Sequence, residues 1–262
     1  MKKIFLISFI FSAVAFSQTL IPKLPQITAS SFLLIDAETN KIIAQQNPEA
    51  STGLASITKI MTSYIVADYL KQGFLNIKDS TTVSEKCWRM EGSRMFIQEG
   101  KKVLIEDLMR GMIIQSGNDA ACALAEHIAG TQEDFASLMN DYAQKMELKN
   151  TNFTNPTGLP NVNHYSTAED IAKLSIVLIN DFPDEYAIYS EKEFTYNDIR
   201  QLNRNSLLWQ DDSIDGIKTG HTRASGYCLV ASSKRADMRL ISIVLNSAVS
   251  YTHLRAHETA MY

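Results

Sequence analysis

The stretch Ala55-Ser56-Ile57-Thr58-Lys59-Ile60-Met61-Thr62-Ser63-Tyr64-Ile65 is where the pattern of this chain changes from alternating to helical. Ile57, Ile60, Met61, Tyr64 and Ile65 fall at i, i+3, i+4, i+7 and i+8, which predicts a helix from Ser56 to Lys71 with one buried stripe. Before it, Ser31–Asp36 and Lys41–Gln46 flank the polar Ala37-Glu38-Thr39-Asn40, a β-hairpin signal. After it come helical segments over Val103–Gln115 and Asn118–Ile128, the latter closed by Gly130. Ser166-Thr167-Ala168-Glu169 reads as a capping box opening a helix towards Ile179. Strand-like segments then return at Glu193–Asn197, Ile214–Thr222, Gly226–Ser232 and Met238–Asn246. Strands, a helical middle and strands again fit one antiparallel sheet only if the middle is an excursion from it. The expected fold is therefore α/β (α+β): an antiparallel sheet flanked by helices with an inserted helical subdomain. The site should lie at the junction of the two, where clefts form.

The 262 residues are 45% apolar and 21% charged, an ordinary globular balance with room for a sizeable core. A net charge of −4 gives no basic surplus, so nucleic acid is not an expected partner. Met1-Lys2-Lys3, an apolar run from Ile4 to Phe16 and the small residues Ala13, Ala15 and Ser17 make a secretory leader over 1–17. The run is short of the roughly 20 apolar residues that a membrane span needs. The expectation is export to the periplasm. A Pro-containing linker over 18–27 then leads into a domain over 28–248.

Cys87, Cys122 and Cys228 are odd in number and cannot all pair within one chain. Their apolar neighbours suggest small buried hydrophobes rather than a disulfide framework or a nucleophile. Residues 249–262 have no clean period, and Val249-Ser250-Tyr251-Thr252-His253-Leu254 matches one reading frame of a transposon end used in DNA library preparation. That tail is expected to be adapter-derived, with the natural frame continuing past it.

Three short elements could carry chemistry. In Ser56-Ile57-Thr58-Lys59 the hydroxyl and the amine share a helix face. Serine becomes a nucleophile when a neighbouring base takes its proton, and lysine serves if burial or a nearby cation lowers its pKa. About one such spacing is expected by chance in a chain this long, so alone it decides little. Ser116-Gly117-Asn118 breaks one helix from the next; the hydroxyl could relay a proton and the amide hold a carbonyl, or Asn118 could simply cap the following helix. Lys218-Thr219-Gly220-His221 lies in a strand whose glycine admits a close backbone approach, with a cation and a hydroxyl beside it for a carboxylate. An edge strand defended by lysine is the plainer alternative.

In this order, Ser-x-x-Lys, Ser-x-Asn and Lys-Thr-Gly form the motif set of penicillin-binding proteins and active-site serine β-lactamases. Over 28–248 the chain resembles the low-molecular-mass D-alanyl-D-alanine carboxypeptidases. The likeness is carried by Ala55–Thr62, Gln115–Ala120, Glu191–Leu208, Asp215–Thr222 and Gly226–Ser232. It implies the penicillin-recognising serine transferase fold, no metal or cofactor, β-lactams as inhibitors and a peptidoglycan stem ending in D-Ala-D-Ala as substrate. It implies Ser56 as nucleophile, Lys59 as proton acceptor and Ser116 as proton relay. It further implies that Asn118 positions the acyl donor, that Lys218, Thr219 and Arg204 read the carboxylate, and that Gly220-His221 lies on the oxyanion side with the N–H groups of Ser56 and His221. Leu54 departs from the family, which usually has Pro there. The family's further C-terminal helix, β-rich domain and membrane anchor are not found before Tyr262.

Other readings are weaker. A class A β-lactamase needs Glu-x-x-Leu-Asn, but Ile199 stands where the Glu should precede Leu202-Asn203. His127, His164 and His221 show no metal-ligand spacing. A DD-endopeptidase cutting cross-links, or an inactive peptidoglycan- or penicillin-binding module, remain as alternatives.

Overall fold

The computed structural model describes residues 27–248; the proposed leader, most of the linker and the tail lie outside them. The hairpin forms as expected, β1 (Ala29–Asp36) against β2 (Ile42–Gln46). A 3₁₀ turn over Ala55–Thr58 feeds α1 (Lys59–Lys71). The short β3 (Ser80–Thr82), α2 (Glu85–Trp88) and β4 (Lys102–Leu104) follow. Next come α3 (Ile105–Ile113), α4 (Asn118–Ala129), α5 (Gln132–Lys145), α6 (Ala168–Asp181) and α7 (Pro183–Tyr186). The chain then returns to strands: β5 (Glu193–Tyr196), β6 (Ile199–Leu202), β7 (Ile214–Thr222), β8 (Gly226–Arg235) and β9 (Met238–Ser247).

The main sheet has the order β2-β1-β9-β8-β7, and every neighbouring pair is antiparallel. Leu33 lies opposite Ile243 and Lys218 opposite Val230, so strands from the two ends of the chain interleave while everything between them is the helical excursion. α6 packs on β1 and β9, and α1 runs through the middle of the helical layer against α3, α4, α5 and α6. Ile57, Ile60, Met61 and Ile65 are fully buried, each contributing about 1.5–3 kcal/mol of burial. α1 buries more than the expected stripe: every residue from Lys59 to Ala67 is inside, Thr62 and Ser63 included. Their hydroxyls are satisfied, on the Pro156 carbonyl at 2.7 Å and the Tyr189 hydroxyl at 2.6 Å.

Several expectations need correction. Cys87 and Cys122 are joined by a disulfide (S–S 2.06 Å) that ties α2 to α4. An odd count forbids three paired cysteines but allows two; only Cys228 is free and buried, as expected. The cap of α6 is Thr167, whose hydroxyl accepts from the Asp170 N–H at 3.1 Å, one residue after the anticipated Ser166. Ser166 is instead bridged to Thr52. α5 carries too few large apolar residues for its period to stand out, though Thr131 caps it through the Asp134 N–H. Among the described residues no helix is long and apolar enough to cross a membrane.

Candidate active site

A cleft of about 420 Å³ opens where the N-terminal turn of α1, the turn between α3 and α4, and the edge strand β7 meet. Its walls carry Ser56, Ser116, Arg204, Thr219, Gly220 and His221, with Ser93, Tyr227 and Cys228 added. Lys59, Asn118 and Lys218 lie directly behind these walls, only 1%, 5% and 1% exposed. The nine residues singled out in the sequence therefore converge on one place.

The Lys59 ammonium is surrounded by three acceptors: Ser56 Oγ at 3.0 Å, Asn118 Oδ1 at 2.7 Å and the Thr157 carbonyl at 2.7 Å. The amide of Asn118 cannot be reversed, because its Nδ2 donates to the Glu91 carbonyl at 2.6 Å. Two of the three partners are pure acceptors, while Ser56 alone carries a proton. When Lys59 is neutral it keeps two N–H bonds, which satisfy Asn118 and Thr157, and its lone pair faces the Ser56 hydroxyl. Burial pushes its pKa well below the ordinary lysine value, the Lys218 charge pushes the same way, and Asp119 opposes them.

Asn118 is not a helix cap. It is the first residue of α4, with Gly117 at the cap position and no side-chain capping bond. The turn before it is shaped by Ser116 at φ +65°, which buries the residue yet leaves it on the cleft wall. Asp119 then holds the segment after Cys87 by accepting from the N–H groups of Met95, Phe96 and Ile97. The Asn118 N–H donates to the Ser93 carbonyl at 2.7 Å, which ties this segment to the start of α4.

On the opposite wall β7 is an edge strand, but Lys218 does not guard it from outside. Its side chain is buried, its one hydrogen bond among the described residues is to the Thr219 carbonyl at 3.2 Å, and burial with the Arg204 charge brings its pKa down to about 7. A Cβ on Gly220 would stand 3.0 Å from the Leu54 carbonyl and 3.1 Å from the Ser56 nitrogen, so any larger residue would push β7 and the turn apart by a few tenths of an ångström. The exposed His221 ring rests against Tyr227 with centroids 4.2 Å apart. Arg204 is carried by a segment anchored through its own N–H to the Ile114 carbonyl and through Gln201 Nε2 to the Met95 carbonyl, both at 3.1 Å. Its guanidinium has no ion pair among the described residues and faces the cleft.

A buried amine aimed at a hydroxyl, with two cations and a hydroxyl further along, is machinery for acyl transfer from a substrate with a carboxylate. No motif pointed to the Thr157 carbonyl. Asn155-Pro156-Thr157-Gly158 has turn composition, and Asn155 Oδ1 accepts from the N–H groups of Thr157, Gly158 and Leu159, but a backbone acceptor has no residue signature. The closest group of His, Cys and carboxylate side chains among the described residues is Cys87, Cys122 and Glu126, where the two sulfurs are bonded to each other.

The family model described as D-alanyl-D-alanine carboxypeptidase, peptidase S11, matches residues 18–249. The chain belongs to that family. It is 46% identical over 246 residues to the D-alanyl-D-alanine carboxypeptidase DacC of Escherichia coli, covering 91% of this chain and 62% of the relative. The crystal structure of penicillin binding protein 5 from Haemophilus influenzae superposes with a TM-score of 0.89 at 44% identity, over 92% of this chain and 71% of that one. Penicillin-Binding Protein D2 from Listeria monocytogenes, solved with ampicillin bound, has a TM-score of 0.83 at 27% identity, over 92% and 98%. The chain spans about three fifths of the length of the curated carboxypeptidases it matches. In this member of the D-alanyl-D-alanine carboxypeptidase family Lys59, Asn118 and Lys218 lie buried behind an open cleft, and the turn at Ala55–Thr58 forms with Leu54 at its cap position.

Proposed function

We propose that this chain is a serine-type D-Ala-D-Ala carboxypeptidase, acting outside the cytoplasm on peptidoglycan stem peptides. The observation that carries the reading is the Lys59 amine held 3.0 Å from Ser56 Oγ by two acceptors that cannot give it a proton. Ser56 Oγ attacks the carbonyl carbon of the penultimate D-Ala as its proton passes to Lys59 Nζ. The carbonyl oxygen, now an oxyanion, is met by the Ser56 and His221 N–H groups at the β7 crossing. Collapse breaks the C–N bond; the leaving D-Ala amine takes the proton from Lys59, with the Ser116 hydroxyl as relay. Water then attacks the ester, giving its proton to Lys59, and Ser56 Oγ leaves and is reprotonated. Asn118 orients the acyl donor. Lys218, Thr219 and Arg204 hold the terminal carboxylate, which a bare amide end would lack.

The leader reading of 1–17, ahead of a peptidase domain over 28–248, supports action at the cell wall. β-Lactams carry a carboxylate and a strained amide in the same relation, so they acylate the same serine. Benzylpenicillin followed by intact mass and peptide mapping tests the acyl-enzyme. An adduct on the Ser56 peptide, lost in Ser56→Ala, is expected, and a folded protein without adduct would overturn it. Release of free D-Ala from a pentapeptide, against cleavage of a cross-linked dimer, separates carboxypeptidase from endopeptidase action.

A further inference from the structure

His164 is 4% exposed and lies far from Ser56 in sequence, in a loop the proposed mechanism does not use. Its ring nitrogens are both engaged. Nδ1 accepts from the Thr154 N–H at 3.0 Å, which requires the neutral ring to carry its proton on Nε2. Nε2 stands 2.7 Å from Thr58 Oγ1. Thr58 has one hydroxyl proton, and it is directed at the Ala55 carbonyl 2.8 Å away. The three bonds therefore run one way, from Thr154 N–H to His164, from His164 to Thr58, and from Thr58 to Ala55. Burial supports the neutral ring, lowering its pKa to about 4.

The end of this relay is an unusual peptide. Ala55 has φ +47°, a region an alanine occupies only when its surroundings impose it. From the other side Gly158 presses on the same carbonyl, since a Cβ there would lie 1.7 Å from the Ala55 oxygen. A trans peptide is planar, so its C=O and the next N–H point in opposite directions. Whatever fixes the Ala55 carbonyl fixes the Ser56 N–H, one of the two donors assigned above to the oxyanion.

We propose that His164 is a positioning residue of the acylation step, aiming the Ser56 N–H at the oxyanion through Thr58 and the Ala55 carbonyl. This rests on the acyl-enzyme reading of the cleft. A buried histidine that merely fills space would be replaceable by any residue of similar volume. Here the donor at Nε2 is the property that matters.

The test measures benzylpenicillin acylation of the full chain, separating the rate constant within the complex from the binding constant and counting the acylatable fraction. Thr58→Val and His164→Phe should lower the rate constant by about tenfold or more with binding little changed, the pattern of a mis-aimed oxyanion donor. Thr58→Ser, and His164→Gln with an amide N–H in place of Nε2–H, should recover most of it. A smaller acylatable fraction with an unchanged rate constant marks a purely structural role and overturns the proposal. Nitrogen NMR of the imidazole in the unmutated protein gives a reading independent of folding: a proton on Nδ1, or an imidazolium, at neutral pH would also overturn it. If the wild-type protein takes no adduct, the acyl-enzyme reading falls and this inference with it; a reactive wild type with an equally reactive Thr58→Val removes the inference alone.

Discussion

Asn118 Oδ1 receives a hydrogen bond from Lys59 Nζ at 2.7 Å because its other amide atom is tied to the Glu91 carbonyl. A neutral oxygen at this point satisfies the lysine without stabilising its charge as a carboxylate would. Asn118→Asp is nearly isosteric and places a negative charge beside Nζ. The Lys59 pKa should rise, leaving less free amine at neutral pH. We expect acylation by benzylpenicillin at pH 7 to fall by about a hundredfold and its acid limb to move to higher pH. An unchanged pH profile would show that Lys59 is not the base.

Burial, helped by the Arg204 charge, brings the Lys218 pKa down to about 7, so the proposed carboxylate subsite loses part of its charge just above neutrality. kcat/KM for a D-Ala-D-Ala peptide should fall as pH rises through this range, mainly through KM. A substrate amidated at its C-terminus, bound poorly at all pH values, should lack that limb. Finding the same limb in both would assign it to another group.

The same lysine costs stability. Its folded pKa of about 7 is below the ordinary value of 10.5, so the unfolded chain binds the proton more tightly. The penalty is present in full below pH 7 and declines as pH rises towards 10.5. Lys218→Met should therefore stabilise the protein at pH 6 by on the order of a few kcal/mol, and by much less at pH 10, while abolishing carboxylate-dependent binding. Thermal melts at the two pH values check this; a loss of stability at pH 6 would contradict it.

The Cys87–Cys122 bridge closes a loop with a sequence separation of 35. Chain-entropy arguments give about 3–4 kcal/mol for a loop of this length. Replacing both cysteines by serine should lower Tm by about 10 °C. Neither cysteine lines the cleft, although Cys122 lies one turn beyond Asn118 on α4, so acylation of the folded fraction should change little. A loss of rate without loss of Tm would assign it a different task.

Gly158 lies at φ +85°, and a side chain there meets the Ala55 backbone at 1.7 Å. Gly158→Ala must displace either this loop, with the Thr157 carbonyl that binds Lys59, or the turn that carries Ser56. We expect about a hundredfold loss of acylation rate, measured as penicillin adduct against time. Wild-type kinetics would mean that the contact yields without moving either group.

What the sequence made legible follows from where information resides. The roles proposed for Ser56, Lys59, Ser116, Asn118, Lys218 and Thr219 are carried by their side chains, and their motifs could be read directly. Thr157 and Glu91 act through carbonyls, which every residue owns, so no reading of residue types would choose them. The odd cysteine count hid a real pair because parity limits only the total. β7 was foreseen as a strand, but the direction of Lys218, buried inward rather than guarding the edge, depends on a register that only the sheet supplies.

The register of β1 on β9, with Ala29 opposite Ser247, carries a further consequence. The β1–β9 pairing joins the first of the described strands to the last of them. β8 and then β7 extend from β9, so the strand that walls the cleft is held in place by the segment synthesised after it. Closing such long loops is slow relative to helix formation. During synthesis Ser56 and Lys59 therefore exist long before the wall opposite them can assemble. The cleft stays unfinished until β9 is free to pair.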